Sequence, residues 1–124
     1  PLFRDNVDTV ILATPEFTLK KYNIVFYRRS NGQYILHRIV KVQKDSYKIR
    51  GDNQVVNEYG ISKDSIIAVV VGFKRNGKEY TTANILYKIY SIIWVKTVLL
   101  RKCYRNGRRI LSKIKRKTLR KDDK

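Results

Sequence analysis

The chain holds one cysteine, Cys103, and one histidine, His37. A single thiol closes no internal disulfide, so the fold must rest on its apolar core. One imidazole and one thiol also fall short of the side chains that structural zinc requires, and neither a metal nor another cofactor is expected. Acidic residues are scarce as well, 10 Asp+Glu against 28 Lys+Arg, for a formal net charge of +18. No internal repeat is present, and no helix-turn-helix pattern precedes the first strand, which argues against a sequence-specific repressor. The residues after Pro1 show neither a methionine start nor a signal-peptide or transmembrane pattern, as expected of a truncated or processed fragment.

What is there reads as one compact β domain with appendages. At 124 residues, 43% hydrophobic and 31% charged, the chain can bury a sizeable core. Residues 1–83 alternate apolar and polar positions in short runs, the pattern of half-buried antiparallel strands. Strands are expected at Thr9 to Ala13, Asn23 to Arg29, Tyr34 to Gln43, Ser46 to Arg50, Ser65 to Phe73 and Glu79 to Thr82. Asn31-Gly32 and Asn76-Gly77 mark tight hairpin turns, the first expected to be type I′ with both residues at positive φ. SIIAVVVGF, residues 65–73, is nearly all apolar and is the expected central strand.

Past Ala83 the period lengthens. Residues 84–100 read as one helix with a narrow polar stripe at Asn84, Lys88 and Ser91, either packed on the sheet or membrane-associated. At 17 residues with two lysines it is marginal for a membrane span. Residues 101–124 form a basic tail, with twelve Lys/Arg against two Asp/Glu, Ile110, Leu111, Ile114 and Leu119 being its sparse apolar positions. Such a segment binds anionic surfaces, either membrane or nucleic acid without sequence preference.

The chemistry-bearing stretch is Tyr34 to Asn53. Period-two alternation sets His37 among apolar neighbours, with Ile35 and Ile39 on its face and Leu36, Arg38 and Val40 on the other. A Gly51-Asp52-Asn53 turn follows. A lone histidine on a strand is either a core residue or a general base, and an Asp in such a turn either caps it or supports the base.

At HRIVKV (37–42), SYKIRGDNQ (46–54) and SIIAVVVGFKRNGK (65–78) the chain resembles the type I signal peptidase family. That family belongs to a clan of serine proteases that also contains self-cleaving SOS repressors. The family order is a Ser-Met-x-Pro box with the nucleophile, a Gly-Asp-x-Val strand, a strand bearing the base, then a Gly-Asp-Asn turn. Pro1-Leu2-Phe3 looks like the residues after the serine, and Lys21-Tyr22-Asn23-Ile24-Val25 like the second box, with Tyr22 and Asn23 in place of its Gly and Asp. His37-Arg38-Ile39 is similar to the endoplasmic-reticulum and archaeal-like branch, whose base is histidine rather than lysine.

The resemblance implies an antiparallel signal-peptidase-like β fold over residues 1–83, followed by the helix of 84–100 and the tail of 101–124. It implies His37 as general base, Asp52 as the carboxylate that orients or supports it, and Glu58 at the position of a further acidic residue. It also implies an extended peptide as substrate, from an exported or precursor protein, with small side chains near the cleavage point. The apolar helix and basic tail, outside the resemblance, are separately expected to hold the protein at an anionic membrane surface through residues 84–124. The nucleophile would stand three residues before Pro1, because none of Ser30, Ser46, Ser62, Ser65, Ser91 and Ser112 sits in a matching box. The chain by itself is therefore expected not to cleave, and its oxyanion hole, formed in the family around the nucleophile's segment, is expected to be incomplete. The alternative expectation is a non-enzymatic basic β domain that binds anionic membrane or nucleic acid.

Overall fold

The computed structural model describes residue 3, residues 7–16 and residues 18–122, with side chains up to residue 115. Seven strands form one antiparallel sheet: β1 (Thr9–Ala13), β2 (Ile24–Arg28), β3 (Tyr34–Val42), β4 (Ser46–Arg50), β5 (Glu58–Ser62), β6 (Ile66–Arg75) and β7 (Lys78–Thr81). A short 3-10 turn at Lys63–Ser65 leads into β6. Two helices follow, α1 (Ile85–Lys96) and α2 (Val98–Asp122). The chain is thus mainly antiparallel β with a helical C-terminal part.

The order across the sheet is β1-β6-β2-β3-β4-β5, with β7 also on β6. The apolar run expected at the centre is central: β6 pairs with β1, with β2 through Ile66–Val69 and with β7 through Gly72–Arg75. Gly72 is required there, since a Cβ would stand 2.7 Å from the Tyr80 carbonyl oxygen. Tyr80 stacks on Phe73 across this pair, and Phe3 meets Phe73 edge-on, with ring centroids 5.1 and 5.4 Å apart.

The two Asn-Gly turns differ. Asn76 and Gly77 both take positive φ, 51° and 74°, as a two-residue I′ turn requires. At the first turn only Gly32 does, at φ 85°. The expected I′ geometry is corrected to a three-residue loop, Ser30 to Gly32, closed by Arg29 N–H to Gln33 O and Gly32 N–H to Arg29 O. Asn31 instead spends its side chain on the Gln33 N–H, which holds its backbone out of the left-handed region.

Alternation along the strands makes two buried faces. One carries Val25, Tyr27, Ile39, Tyr47, Ile49 and Val69, which pack with Leu19 as the main core. The other carries Ile24, Arg38, Arg50 and Val70, all buried. That a face with two arginines is covered at all is the work of α1.

The expected single helix of 84–100 is corrected in two ways. Asn84 lies outside it as N-cap, its Oδ1 accepting the Leu86 N–H at 2.8 Å. The helix then ends at Thr97, whose N–H and Oγ1–H both return to the Ile93 carbonyl. A second helix starts at once and carries the basic tail. The polar stripe also splits. Lys88 is exposed, whereas Ser91 is 1% exposed and points at the sheet, with Tyr87, Tyr90 and Trp94 half-buried on the same side. No helix among the described residues is long and apolar enough to cross a membrane.

Candidate active site

His37 sits on β3 opposite Val25 of β2 and two residues from Ile39, so its face is the core face. Its side chain is 11% exposed. Nδ1 lies 2.8 Å from the Leu36 carbonyl oxygen. A carbonyl only accepts, so the contact puts a proton on Nδ1 and, in the neutral ring, makes Nε2 the nitrogen with the lone pair. Nε2 is buried, forms no hydrogen bond and lies 3.4 Å from Glu58 Oε1.

Glu58 opens β5, a strand that strand-pattern reading missed because EYGIS offers two glycine-flanked apolar positions and no alternation. Three groups hold its carboxylate opposite His37. Arg29 Nε donates to Oε2 at 2.9 Å and Nη2 donates to Oε1, a two-pronged pair. Tyr27 Oη–H donates to Oε2 at 2.7 Å. The Arg29 guanidinium holds the Glu58 carboxyl below the ordinary 4.5, against the opposing effect of partial burial. Burial first, then Glu58, push the Tyr27 phenol well above its usual range. Neither Tyr27 nor Arg29 was singled out in the sequence, although a usable signal existed. Both share the parity of Val25 on β2, and the hairpin register that sets Val25 opposite His37 puts them on the histidine's side of the sheet.

Asp52 stands elsewhere. Its two oxygens accept from Arg38 Nε and Nη2, both at 2.8 Å. Arg38 is 1% exposed, on the face of β3 away from His37, and its Nη1 donates to Ser91 Oγ at 2.8 Å and to the Tyr22 carbonyl at 3.1 Å. Burial disfavours its charge, yet the Asp52 pair prevails and leaves the Arg38 pKa above its ordinary value. The carboxylate that faces His37 is therefore Glu58, and the one expected to orient the histidine orients an arginine.

The Gly-Asp-Asn turn still touches the histidine, through its glycine. A Cβ on Gly51 would stand 2.8 Å from His37 Cε1, so only glycine lets the ring lie against the turn. The turn's backbone is in turn gripped by the helices. Trp94 Nε1 and Arg101 Nη1 donate to the Asp52 carbonyl at 3.0 and 2.9 Å, and Arg105 Nη1 to that of Asn53 at 3.0 Å. The Arg101 guanidinium lies 3.8 Å over the Trp94 ring.

The described serines do not meet His37. Ser91 bridges Arg38 and the Tyr87 carbonyl, Ser65 and Ser112 bond backbone three residues back, and Ser46 bonds Gln43. Pro1 and Leu2, expected to follow a nucleophile, lie outside the described residues. Among the described residues no cluster of His, Cys, Asp and Glu is arranged to hold a metal ion. Open grooves flank the Arg29 and Glu58 pair on both sides. One runs along β5 past Tyr34 and Tyr59, the other past Gln54 and Arg105.

The fold and site together define an antiparallel β protein with one half-buried imidazole, its buried Nε2 without a hydrogen bond, against a carboxylate fixed by arginine and tyrosine. No family model, curated protein or solved structure matches the chain.

Proposed function

We propose that residues 1–83 carry the general-base half of a signal-peptidase-like serine endopeptidase, with His37 as base and Glu58 as the carboxylate that stabilises its protonated form. The observation that carries this reading is the placement of the imidazole: Nδ1 2.8 Å from the Leu36 carbonyl oxygen, Nε2 buried and without a hydrogen bond, and Glu58 Oε1 3.4 Å away. A serine hydroxyl supplied by a segment outside residues 1–124 would give its proton to Nε2 as its oxygen attacks a peptide carbonyl. The imidazolium formed would then stand at ion-pair distance from the partly buried Glu58 carboxylate, which favours its charge.

Two further features support the resemblance. Tyr22 takes φ 80°, a conformation that favours glycine, at the position where the family's second box has glycine. Its N–H donates to the Ile39 carbonyl, and the Ile39 N–H donates back to Asn23, so the box is joined to the histidine strand. Asp52 keeps a role that is not catalytic: it neutralises Arg38 and anchors the turn that Gly51 presents to the ring.

The edge of β5, which among the described residues pairs only with β4 and fronts a groove next to Glu58, supports an extended peptide as the substrate. An extended peptide from an exported or precursor protein would add there as a strand. The test is to read the gene upstream of Pro1 and express the extended protein. A Gly-x-Ser-Met-like box is expected within the preceding ten residues, and cleavage of an extended peptide with small residues at the cleavage point should fall at least about a hundredfold in His37→Ala. Absence of the box, or cleavage indifferent to His37→Ala, would overturn the reading.

A further inference from the structure

α1 is apolar on both sides, and the sheet covers only one of them. Tyr87, Tyr90, Ser91 and Trp94 face the β domain, whereas Ile85, Leu86, Ile89 and Ile93 are between 46% and 71% exposed. A helix that is apolar all round is normally buried all round. The outward face continues past the Thr97 break at helical spacings of seven and four, in Leu100, Tyr104 and Leu111, each 67% exposed or more. Gly107 falls between Tyr104 and Leu111, and the exposed Cys103 lies at the edge of the stripe. The other side of α2 is basic, with Lys102, Arg105, Arg109 and Lys113, and Arg108 flanks the stripe with its guanidinium 5.9 Å from the Tyr104 ring centroid.

Charge says what covers this face. No Asp or Glu occurs between Glu79 and Asp122, and on α1 the only charges are Lys88 and Lys96, both exposed. A partner must therefore offer a broad apolar layer bordered by negative charge along the whole helix pair, which is the description of an anionic lipid leaflet. α1, 12 residues long, reaches only about 18 Å, against roughly 30 Å of hydrocarbon. We propose that α1 and the first half of α2 lie flat on an anionic membrane, with Ile89, Ile93, Leu100 and Tyr104 in the acyl boundary and the lysines and arginines among the headgroups. The same helices grip the Gly51 to Asn53 turn, so the sheet domain would be carried at a fixed height above the lipid. This inference does not rest on the peptidase reading.

The full chain labelled at Cys103, its only cysteine, with a polarity-sensitive fluorophore tests it. Vesicles of phosphatidylglycerol mixed with phosphatidylcholine should sediment the protein and shift the label's emission to the blue, and pure phosphatidylcholine should do so far less. Ile89→Asp with Ile93→Asp, both at exposed positions, should leave the fold intact by circular dichroism and weaken vesicle binding about tenfold or more. Three results would overturn the proposal. Binding with no emission shift, and unchanged in the double variant, would mean charge alone. A lipid-free dimer dissolved by the same variant would mean that a second copy covers the face. Duplex DNA producing the same shift while vesicles do not would assign the helices to nucleic acid.

Discussion

Glu58 is the residue whose charge state ties the site to the fold. Arg29 and Tyr27 both bond its ionised form, and Arg29 sets its pKa below 4.5. A carboxyl with a lowered folded-state pKa adds stability that is complete above the unfolded value and is lost as pH falls through the folded one. The parent protein should therefore lose stability more steeply than Glu58→Gln as pH drops from about 4.5 toward the lowered value. At neutral pH the Gln variant should be the less stable of the two, since its amide keeps the Tyr27 bond and forfeits the ion pair with Arg29. Urea denaturation midpoints of both proteins, measured from pH 7 downward, check this. Parallel curves would mean that Glu58 contributes nothing specific to the folded state.

At the scale of elements, the strands were legible and the linkages between layers were not. Thr9 to Ala13 and Ser46 to Arg50 stand where the sequence pattern puts them, and in the second Tyr47 and Ile49 alternate into the core as a period of two requires. β5 escaped because its pairing with β4 is bulged and mostly exposed, so no hydrophobic period marks it. Alternation also put Arg38 on the face opposite His37, but nothing in a period of two reveals that Arg38 would be buried by a helix some fifty residues on. Arg38 is paired to Asp52 and bonded to Ser91, which makes it the pin between sheet, turn and α1. A buried pair tolerates loss of both members better than loss of one, because a single deletion strands a charge. Arg38→Met and Asp52→Asn should each cost about 3–5 kcal/mol, and Arg38→Met with Asp52→Leu clearly less than the sum of two such losses. Urea unfolding of the variants decides this, and additive costs would mean that the pair is not the pin.

For the whole molecule the question is where the folding unit ends. A change of period at Ala83 suggests a β domain of 1–83 with appendages, yet the second buried face of the sheet has no cover within those residues. Tyr87, Tyr90 and Trp94 pack over it, and burial raises the Tyr90 phenol to about 12. Arg50 donates to the Val95 carbonyl at 3.1 Å, and Arg101 and Arg105 reach back to the 52–53 backbone. Among the described residues Arg105 is the last side chain of α2 to hydrogen-bond the sheet domain. Removing α1 would expose Ile24 and Val70 and leave Arg38 with Asp52 alone among side chains. That loss is on the order of 5 kcal/mol, comparable to the entire stability of many domains this size. A chain ending at residue 83 should therefore give the dispersed amide spectrum of a folded sheet only weakly or not at all. One ending at residue 106 should keep that dispersion and unfold cooperatively by heat, near the temperature of the full chain. Well-dispersed, cooperative behaviour of 1–83 would show that α1 is an appendage after all. Failure of 1–106 would place the boundary further along α2.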